Sequence, residues 1–304
     1  MIGKQKIEFN SISASSLFHF TKKIETLKNI ISDGLRFSYA FESMPSQITA
    51  NINYPSSPEC VENIYKDTGV AIPMISFCDI PITRAAMHME RYGNYMIGFD
   101  KAFMIDRYEP IINPVLYVHS NNLSEAFIEL SNVYADTVKQ QNARIFDISK
   151  NGLGSESKEI QELARTYGLR KFFLRYILGL VKPMFEPETD YFFYNEREWR
   201  AFLSDKSCND FDWIWEISRE DYEKNRDKWN ENLSHDFDNF ITLYEDFLRD
   251  GLTSIVVSHE DEVNEIIEFI LNSKKLFGYP GVSKEARHYL ISKITSFERI
   301  SLDY

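Results

Sequence analysis

The sequence predicts an α+β fold, with a compact mixed β-sheet core, helical insertions and a helix-rich C-terminal part. Short apolar strands and helical segments follow one another irregularly, which favours α+β over the strict strand–helix alternation of a doubly wound sheet. Apolar residues make up 43% of the 304 residues and aromatic residues 14%, so we expect a large, aromatic-rich core. We predict a core over residues 1–217 with a helical insertion at about 122–182, and a helix-rich part over 218–304 that adds one core strand and packs on the same domain.

The first predicted unit is a strand followed by a helix. Residues 17–21 (LFHFT) have the apolar character of a short strand, and the segment KKIETLKNIISDGL that follows has apolar residues at helical spacing. Gly34 then stands where a helix C-cap favours a residue that tolerates positive φ. From Tyr39 to Asp67 the chain is rich in Ser, Pro and Asn without periodicity, which predicts a long loop.

Further strands and a helix are predicted in the next part of the chain. The apolar run from Val70 (VAIPMISFCDIP) predicts a buried strand, and a helix that starts at Thr83 should end at Gly93. The segment YMIGF predicts a strand that ends at Asp100, a typical N-cap residue. Another strand is predicted from Pro114 (PVLYVHS).

Helices dominate the remaining prediction. Residues 122–140 and 156–180 have helical character, and so does the charged segment from 218 to about 250. The run LTSIVVS (252–258) predicts a buried strand, and HEDEVNEIIEFILNS (259–273) predicts an amphipathic helix.

Charge and cysteine content exclude several classes of function. With 34 basic and 46 acidic side chains, the net charge is −12, which argues against non-specific coating of nucleic acid or anionic membrane. The three cysteines, Cys60, Cys78 and Cys208, form no ligand-like cluster, so neither a disulfide framework nor a metal site is expected. No apolar stretch reaches the ~18 residues of a membrane span. We therefore expect a cytoplasmic protein without a membrane partner.

A charged ridge is the first candidate site. The segment YFFYNEREWRAFL predicts a strand from Phe193 to Leu203, in which Glu196, Glu198 and Arg200 share one face. The two carboxylates would stand ~6 to 7 Å apart along that strand, close enough for one to raise the pKa of the other unless Arg200 holds it ionised. The alternative interpretation is an exposed strand face that carries an ordinary Arg–Glu pair.

Polar residues in two other segments are further candidates. In the first strand, alternation puts His19 and Thr21 on one face, where they would bind a ribose or polarise a carbonyl; the alternative is a core histidine bonded to a backbone carbonyl. Ser76 lies near the end of the predicted strand from Val70, and Tyr92 lies in the helix that follows. The sequence has no GxGxxG, GxxxxGK[ST], HExxH or GxSxG motif.

Five segments, in this order, resemble the AbiG-type abortive-infection proteins of bacterial phage defence, the AbiGi family, which is described as the antitoxin component. They are LFHFTKKIETLKNIISDGL, PMISFCDIP, HMERYGNYMIGF, PVLYV and FYNEREWRAF. The resemblance extends over residues 17 to about 203, roughly two thirds of the chain.

The same order of motifs resembles a divergent ADP-ribosyltransferase, which implies NAD as the cofactor. The resemblance places His19, Thr21 and Ser76 in the NAD site, with Tyr92 or Tyr95 against the nicotinamide. It makes Glu198 the catalytic acid, with Glu196 as the competing carboxylate. Arg200 stands beside both on the ridge and completes the candidate catalytic set.

The resemblance leaves two functions open. One is an ADP-ribosyltransferase toxin or effector that modifies nucleic acid (RNA or DNA) or a translation component; the candidate contact patch for a transient nucleic-acid substrate is Arg170, Lys171, Arg175 and Lys182. The other is a non-catalytic antitoxin that binds its toxin through an acidic surface. In both cases the expected protein partner is the cognate toxin or antitoxin.

Overall fold

The computed structural model describes residues 14–43, 68–108, 112–118, 121–150, 158, 161–162, 165, 177, 179–184, 191–202, 214–236 and 249–303. The helices there are α1 (Ile24–Asp33), α2 (Ala86–Tyr92), α3 (Lys101–Tyr108), α4 (Asn121–Lys150), α5 (Arg219–Asp236), α6 (Glu262–Asn272), α7 (Lys284–Ile291) and α8 (Phe297–Asp303). Two 3-10 helices lie at Ile82–Arg84 and Phe193–Glu196. The strands are β1 (Ser16–Thr21), β2 (Ser38–Ser43), β3 (Thr68–Cys78), β4 (Tyr95–Asp100), β5 (Ile112–Pro114), β6 (Leu116–Val118), β7 (Val181–Pro183), β8 (Glu198–Phe202), β9 (Ile214–Ser218), β10 (Leu252–Val257), β11 (Lys275–Leu276), β12 (Tyr279–Pro280) and β13 (Ile294–Ser296).

A mixed sheet organises these elements, as the α+β prediction requires. Its main path runs β13-β10-β4-β1-β3-β8-β5, and β2 and β9 also pair with β3. The β10–β13 pair is parallel, whereas the other pairs of this sheet are antiparallel. Two small sheets, β6–β7 and β11–β12, stand apart from it.

Side-chain alternation gives the sheet two faces, which we name after the helices that cover them. On the α1 face, Leu17 of β1, Phe77 of β3 and Ile97 of β4 share one buried core with apolar residues of α1 and α6. On the α2 face, Phe18 and Cys78 lie in a second core with Met89 of α2. Neighbours along a strand therefore belong to different cores, as the two-residue period of a strand requires.

Two boundaries follow the predicted local chemistry. The N–H of Phe103 donates to Asp100 Oδ1 at 2.7 Å, so Asp100 satisfies a free donor at the start of α3. Helix α2 ends at Gly93, whose φ of 118° suits glycine. A Cβ atom at Gly93 would lie 2.2 Å from the Thr21 carbonyl oxygen, so this helix end packs directly on the end of β1.

Other boundaries differ from the prediction. The predicted loop from Tyr39 starts instead as strand β2, and residues 44–67 lie outside the described part. The predicted strand 193–203 is a 3-10 helix followed by β8, because Arg197 between them has a left-handed φ of 47°. In the C-terminal part, β10 coincides with the predicted strand, and β13 pairs with it as a second strand of the main sheet.

None of the described helices combines the length and apolar character that crossing a bilayer would need.

Candidate functional site

The α2 face carries a buried group of ionisable side chains, which we call the charged cluster. It consists of Glu42, Lys182, Glu196, Glu198 and Arg200. Arg200 has no exposed surface, Glu196 is 2% exposed and Glu198 is 6% exposed. The alternative interpretation of these residues as an exposed strand face is therefore wrong.

Strand register explains why the centre of the cluster forms here. Glu198 and Arg200 are two residues apart in β8 and share a face, as predicted. They pair with Cys78 and Ser76 of β3. Facing residues of paired strands project to the same side, so the Ser76 hydroxyl comes within reach of Glu198.

Glu198 has its carboxylate oxygens fully engaged. Its Oε1 accepts from Ser76 Oγ and from Arg200 Nε, both at 2.8 Å. Its Oε2 accepts from Lys182 Nζ at 2.9 Å and from Arg200 Nη2 at 3.2 Å. A carboxylate has about four acceptor positions, and these four hydrogen bonds occupy them.

The charges around Glu198 keep it ionised. Burial on its own would raise the pKa of Glu198, but Arg200 and Lys182 outweigh burial and hold that pKa well below its usual range. Glu42 shows the opposite balance, because burial raises its pKa more than Arg200 lowers it. Glu42 therefore takes up a proton more readily than Glu198 does.

Arg200 joins the two sides of the cluster. Its Nη2 donates to Glu42 Oε1 at 2.8 Å, and its Nη1 donates to the Gly179 carbonyl at 2.5 Å. Burial opposes the charge, yet Glu198 and Glu42 raise the pKa of Arg200 above its usual value. The guanidinium thus connects β8 with β2 in a region shielded from water.

Glu196 enters the cluster by a different route from the predicted one. It ends the 3-10 helix rather than sharing a strand with Glu198, and the left-handed Arg197 turns the chain between them. Glu196 Oε2 nevertheless accepts from Lys182 Nζ at 2.7 Å. Its Oε1 accepts a hydrogen bond from the Tyr92 hydroxyl.

Aromatic side chains surround this edge of the cluster. Burial and Glu196 together raise the pKa of Tyr92, so its phenol remains a proton donor. The guanidinium of Arg91 lies 4.2 Å from the ring centroid of Tyr191, and the ammonium of Lys182 lies 4.5 Å from that of Phe193. In such contacts the electron-rich face of the aromatic ring attracts the cation that lies above it.

The other predicted NAD-site residues lie on the α1 face. His19 Nδ1 is 2.9 Å from the Ser76 carbonyl oxygen, and its ring meets Phe77 edge-on. Burial lowers the pKa of His19 more than that carbonyl raises it. Thr21 pairs with Tyr95, whose hydroxyl donates to Glu262 at 2.6 Å.

The transferase resemblance requires His19 and Glu198 to face one cleft, but the register of the main sheet puts their side chains on opposite faces. Phe18 pairs with Cys78 across β1 and β3, and Cys78 pairs with Glu198 across β3 and β8. These three side chains therefore share the α2 face, and His19, one residue from Phe18, points to the opposite face. Of the residues that the transferase resemblance assigns to NAD, His19, Thr21 and Tyr95 lie on the α1 face, whereas the side chains of Ser76 and Tyr92 reach the charged cluster on the α2 face.

Of the predicted basic patch, the structure describes Lys182 alone, and this lysine is buried. Arg170, Lys171 and Arg175 lie outside the described residues. Lys182 is buried in the charged cluster and holds Glu196 and Glu198. Among the described residues, no group of three or more His, Cys, Asp or Glu side chains is arranged to hold a metal ion.

Two members of the cluster were absent from the predicted site. Lys182 stands in a largely apolar segment, LGLVKP, where a lysine needs a buried partner. A lysine in such a segment is the sequence feature that indicates a buried ion pair at this position. Glu42 lies in the segment predicted to be a loop, and its partner Arg200 is 158 positions away, so local pattern contains no comparable signal for it.

Comparison with known proteins places this chain beside phage-resistance proteins. A family model described as "Putative abortive phage resistance protein AbiGi, antitoxin" matches residues 59–242, more than half of the chain. A protein of Lactococcus lactis subsp. cremoris named "Abortive phage resistance protein AbiGi" is 24% identical over 267 residues, which cover 83% of this chain and 97% of the relative. No solved structure matches the chain.

Proposed function

The chain belongs to the AbiGi family of abortive phage resistance proteins, and on that premise we propose that it acts as a non-catalytic antitoxin, which binds and neutralises a cognate toxin protein. The family description names an antitoxin. An antitoxin of this kind needs a stable folded surface for its partner and no reaction centre. The charged cluster then stabilises the fold and so holds in place the surface that the partner binds.

The observation that carries this proposal is the saturation of Glu198. A transferase glutamate must accept a hydrogen bond from a ribose hydroxyl or from the incoming nucleophile. In this chain Ser76, Arg200 and Lys182 already use the acceptor positions of Glu198. A substrate would have to displace a buried cation, and leaving a buried charge unpaired is costly.

Charge supports the same proposal. The net charge of −12 gives a surface that attracts a basic partner and speeds its association. A toxin that handles nucleic acid would present such a basic surface, since phosphate contacts are made by lysine and arginine.

A growth assay tests the proposal directly. The chain expressed alone should leave growth unaffected, and when co-expressed with the toxin encoded beside it, it should restore growth and co-purify with that toxin. A Leu27→Asp variant, which places a charge in the α1-face core, is the control for loss of fold. Growth arrest by the chain alone would favour the toxin interpretation instead.

The transferase alternative has its own assay, because ADP-ribose transfer from NAD remains a prediction of the motif resemblance. Purified protein incubated with labelled NAD and total cell lysate should leave protein, DNA and RNA unlabelled, and millimolar NAD should leave the melting temperature unchanged. Label that appears with the wild type and disappears with Glu198→Gln would contradict the antitoxin proposal.

A further inference from the structure

A small part of the chain lies over the charged cluster without joining the main sheet. Strands β6 and β7 pair with each other in parallel and form a separate two-stranded sheet. The N–H of Met184 donates to the Val118 carbonyl, and the N–H of Tyr194 donates to the Met184 carbonyl. We call these three segments, residues 116–118, 181–184 and 193–196, the small module.

Two side chains of the small module reach Glu198 of the main sheet. Lys182 Nζ donates to Glu198 Oε2 at 2.9 Å, and the Tyr117 hydroxyl accepts from the Glu198 N–H at 2.7 Å. The other ion pair of Lys182, to Glu196, lies within the module. Lys182 therefore links two segments of the module to each other and also links the module to β8.

The loss of Lys182 would affect the main sheet and the small module differently. Without Lys182, Glu198 would keep its bonds to Ser76 and Arg200, and Glu196 would keep its bond to Tyr92. When the module leaves, Glu198 therefore keeps three of its four side-chain hydrogen bonds, whereas Glu196 leaves with the module and loses its bond from Tyr92. The module has little support of its own, because a sheet of two three-residue strands is too small to be stable alone.

The backbone also provides a pivot. Arg197 joins the module to β8 and has a φ of 47°, a conformation that non-glycine residues seldom adopt. The N–H of Val115, just before the module, donates to the Glu198 carbonyl. Both chain connections on this side therefore converge on the same residue of β8.

We propose that Lys182 is a latch: it holds the small module closed on the α2 face, and its release lets the module open as one local unit while the main sheet remains folded. Local opening below the free energy of global unfolding is a general property of weakly supported segments. The module carries the exposed side chains of Leu116 and Tyr194, so the latch also fixes the position of that apolar surface. This inference stands independently of the antitoxin proposal.

Hydrogen–deuterium exchange on the full chain tests the latch. The test variant is Lys182→Met with Glu196→Gln, which removes one positive and one negative charge and leaves the balance of the cluster unchanged. Peptides covering residues 115–118, 181–184 and 193–198 should exchange on the order of 100-fold faster than in the wild type. Peptides of β1, β3 and β4 should exchange at the wild-type rate.

The other buried lysine pair provides the matched control. Lys101 Nζ donates to Asp79 Oδ2 at 2.7 Å, and both side chains are almost fully buried. Lys101→Met with Asp79→Asn should leave exchange in the small module unchanged. The latch is refuted if the Lys182 double variant exchanges faster throughout the sheet, or if its module exchanges no faster than that of the control.

A milder variant keeps the test decisive if the double variant fails to fold. Tyr117→Phe removes only the hydroxyl that accepts from the Glu198 N–H. It should accelerate exchange in the same peptides by a smaller factor, about 5-fold, because one hydrogen bond contributes on the order of 1 kcal/mol. Unchanged exchange there, together with a folded circular dichroism spectrum, would overturn the proposed connection through Glu198.

Discussion

The polar groups on the two faces of the main sheet find their hydrogen-bond partners in different ways. On the α1 face each group has its own partner: His19 meets one backbone carbonyl, and Tyr95 meets one carboxylate. On the α2 face the members of the charged cluster are pooled, so that Glu198 shares Lys182 with Glu196 and shares Arg200 with Glu42. A group that has a single partner of its own can be replaced with little effect on other groups. In a shared network, the replacement of one member affects the hydrogen bonds and charges of all the others.

The removal of Arg200 should have the largest effect. Arg200→Met leaves Glu198 and Glu42 buried with reduced compensation, so we expect a loss of about 3–5 kcal/mol in the free energy of unfolding, measured by urea denaturation. A second change, Glu198→Gln, removes the stranded charge and should recover part of the loss. Full additivity of the two changes would contradict the pooled network.

A matched variant on the α1 face sharpens this comparison. Tyr95→Phe removes one hydroxyl that bonds a single, half-exposed carboxylate. It should cost only about 1 kcal/mol, since one hydrogen bond is lost and Glu262 remains accessible to water. A loss as large as that of Arg200→Met would show that the two faces do not differ in the way described.

Gly93 tests how α2 is held against the sheet. Gly93→Ala forces a side chain into a φ of 118° and places Cβ 2.2 Å from the Thr21 carbonyl oxygen. We expect a loss of about 2–3 kcal/mol and a displaced α2, observed as altered chemical shifts of Tyr92. Gly281→Ala is the control, because its φ of 76° is also positive while a Cβ there meets nothing within 4 Å.

How much of this arrangement the sequence predicts depends on the distance over which each contact acts. The two-residue period of β8 correctly places Glu198 and Arg200 together, and the N-cap at Asp100 and the helix end at Gly93 are also predicted, because these are local features. The face of His19 depends on the register between β1 and β3, which no local pattern specifies. The alternation of side chains continues from Glu196 through Arg197, so the sequence predicts that Glu196 lies in the strand. Nothing in the sequence indicates the positive φ of Arg197, because arginine seldom adopts that conformation.

Two histidines, the half-buried His19 on the α1 face and the buried His88 on the α2 face, should make stability depend on pH. Burial lowers the pKa of both His19 and His88 from 6.5. Below pH 6.5 these histidines bind protons more readily in the unfolded chain than in the folded chain. Their effect on stability is therefore absent above that pH, and the folded state loses stability as the pH drops below it. At pH 5.5 His88 alone should account for up to about 1.4 kcal/mol, measured as the difference in unfolding free energy from pH 7.5.

The two histidines should respond differently to replacement. His88 Nε2 has no hydrogen-bond partner among the described residues, and its ring lies between Phe20 and Tyr92, with Glu196 and Lys182 as the nearby charges. His88→Phe should therefore reduce the acid sensitivity at little cost at pH 7.5. His19→Phe should also reduce it, but with a loss of about 1 kcal/mol at pH 7.5, because the bond to the Ser76 carbonyl disappears.

A further variant pair tests the backbone between Glu196 and Glu198. Arg197 has a φ of 47°, where an L-residue with a Cβ is strained and glycine is not. Arg197→Gly and Arg197→Ala remove the same arginine contacts, so the difference between these two variants isolates the backbone. We expect the glycine variant to be more stable than the alanine variant by about 1 kcal/mol, which is the reverse of the order expected within a regular strand. If alanine proves equal or better in urea denaturation, the turn is not left-handed in solution, and Glu196 would then continue β8 as the simple alternation predicts.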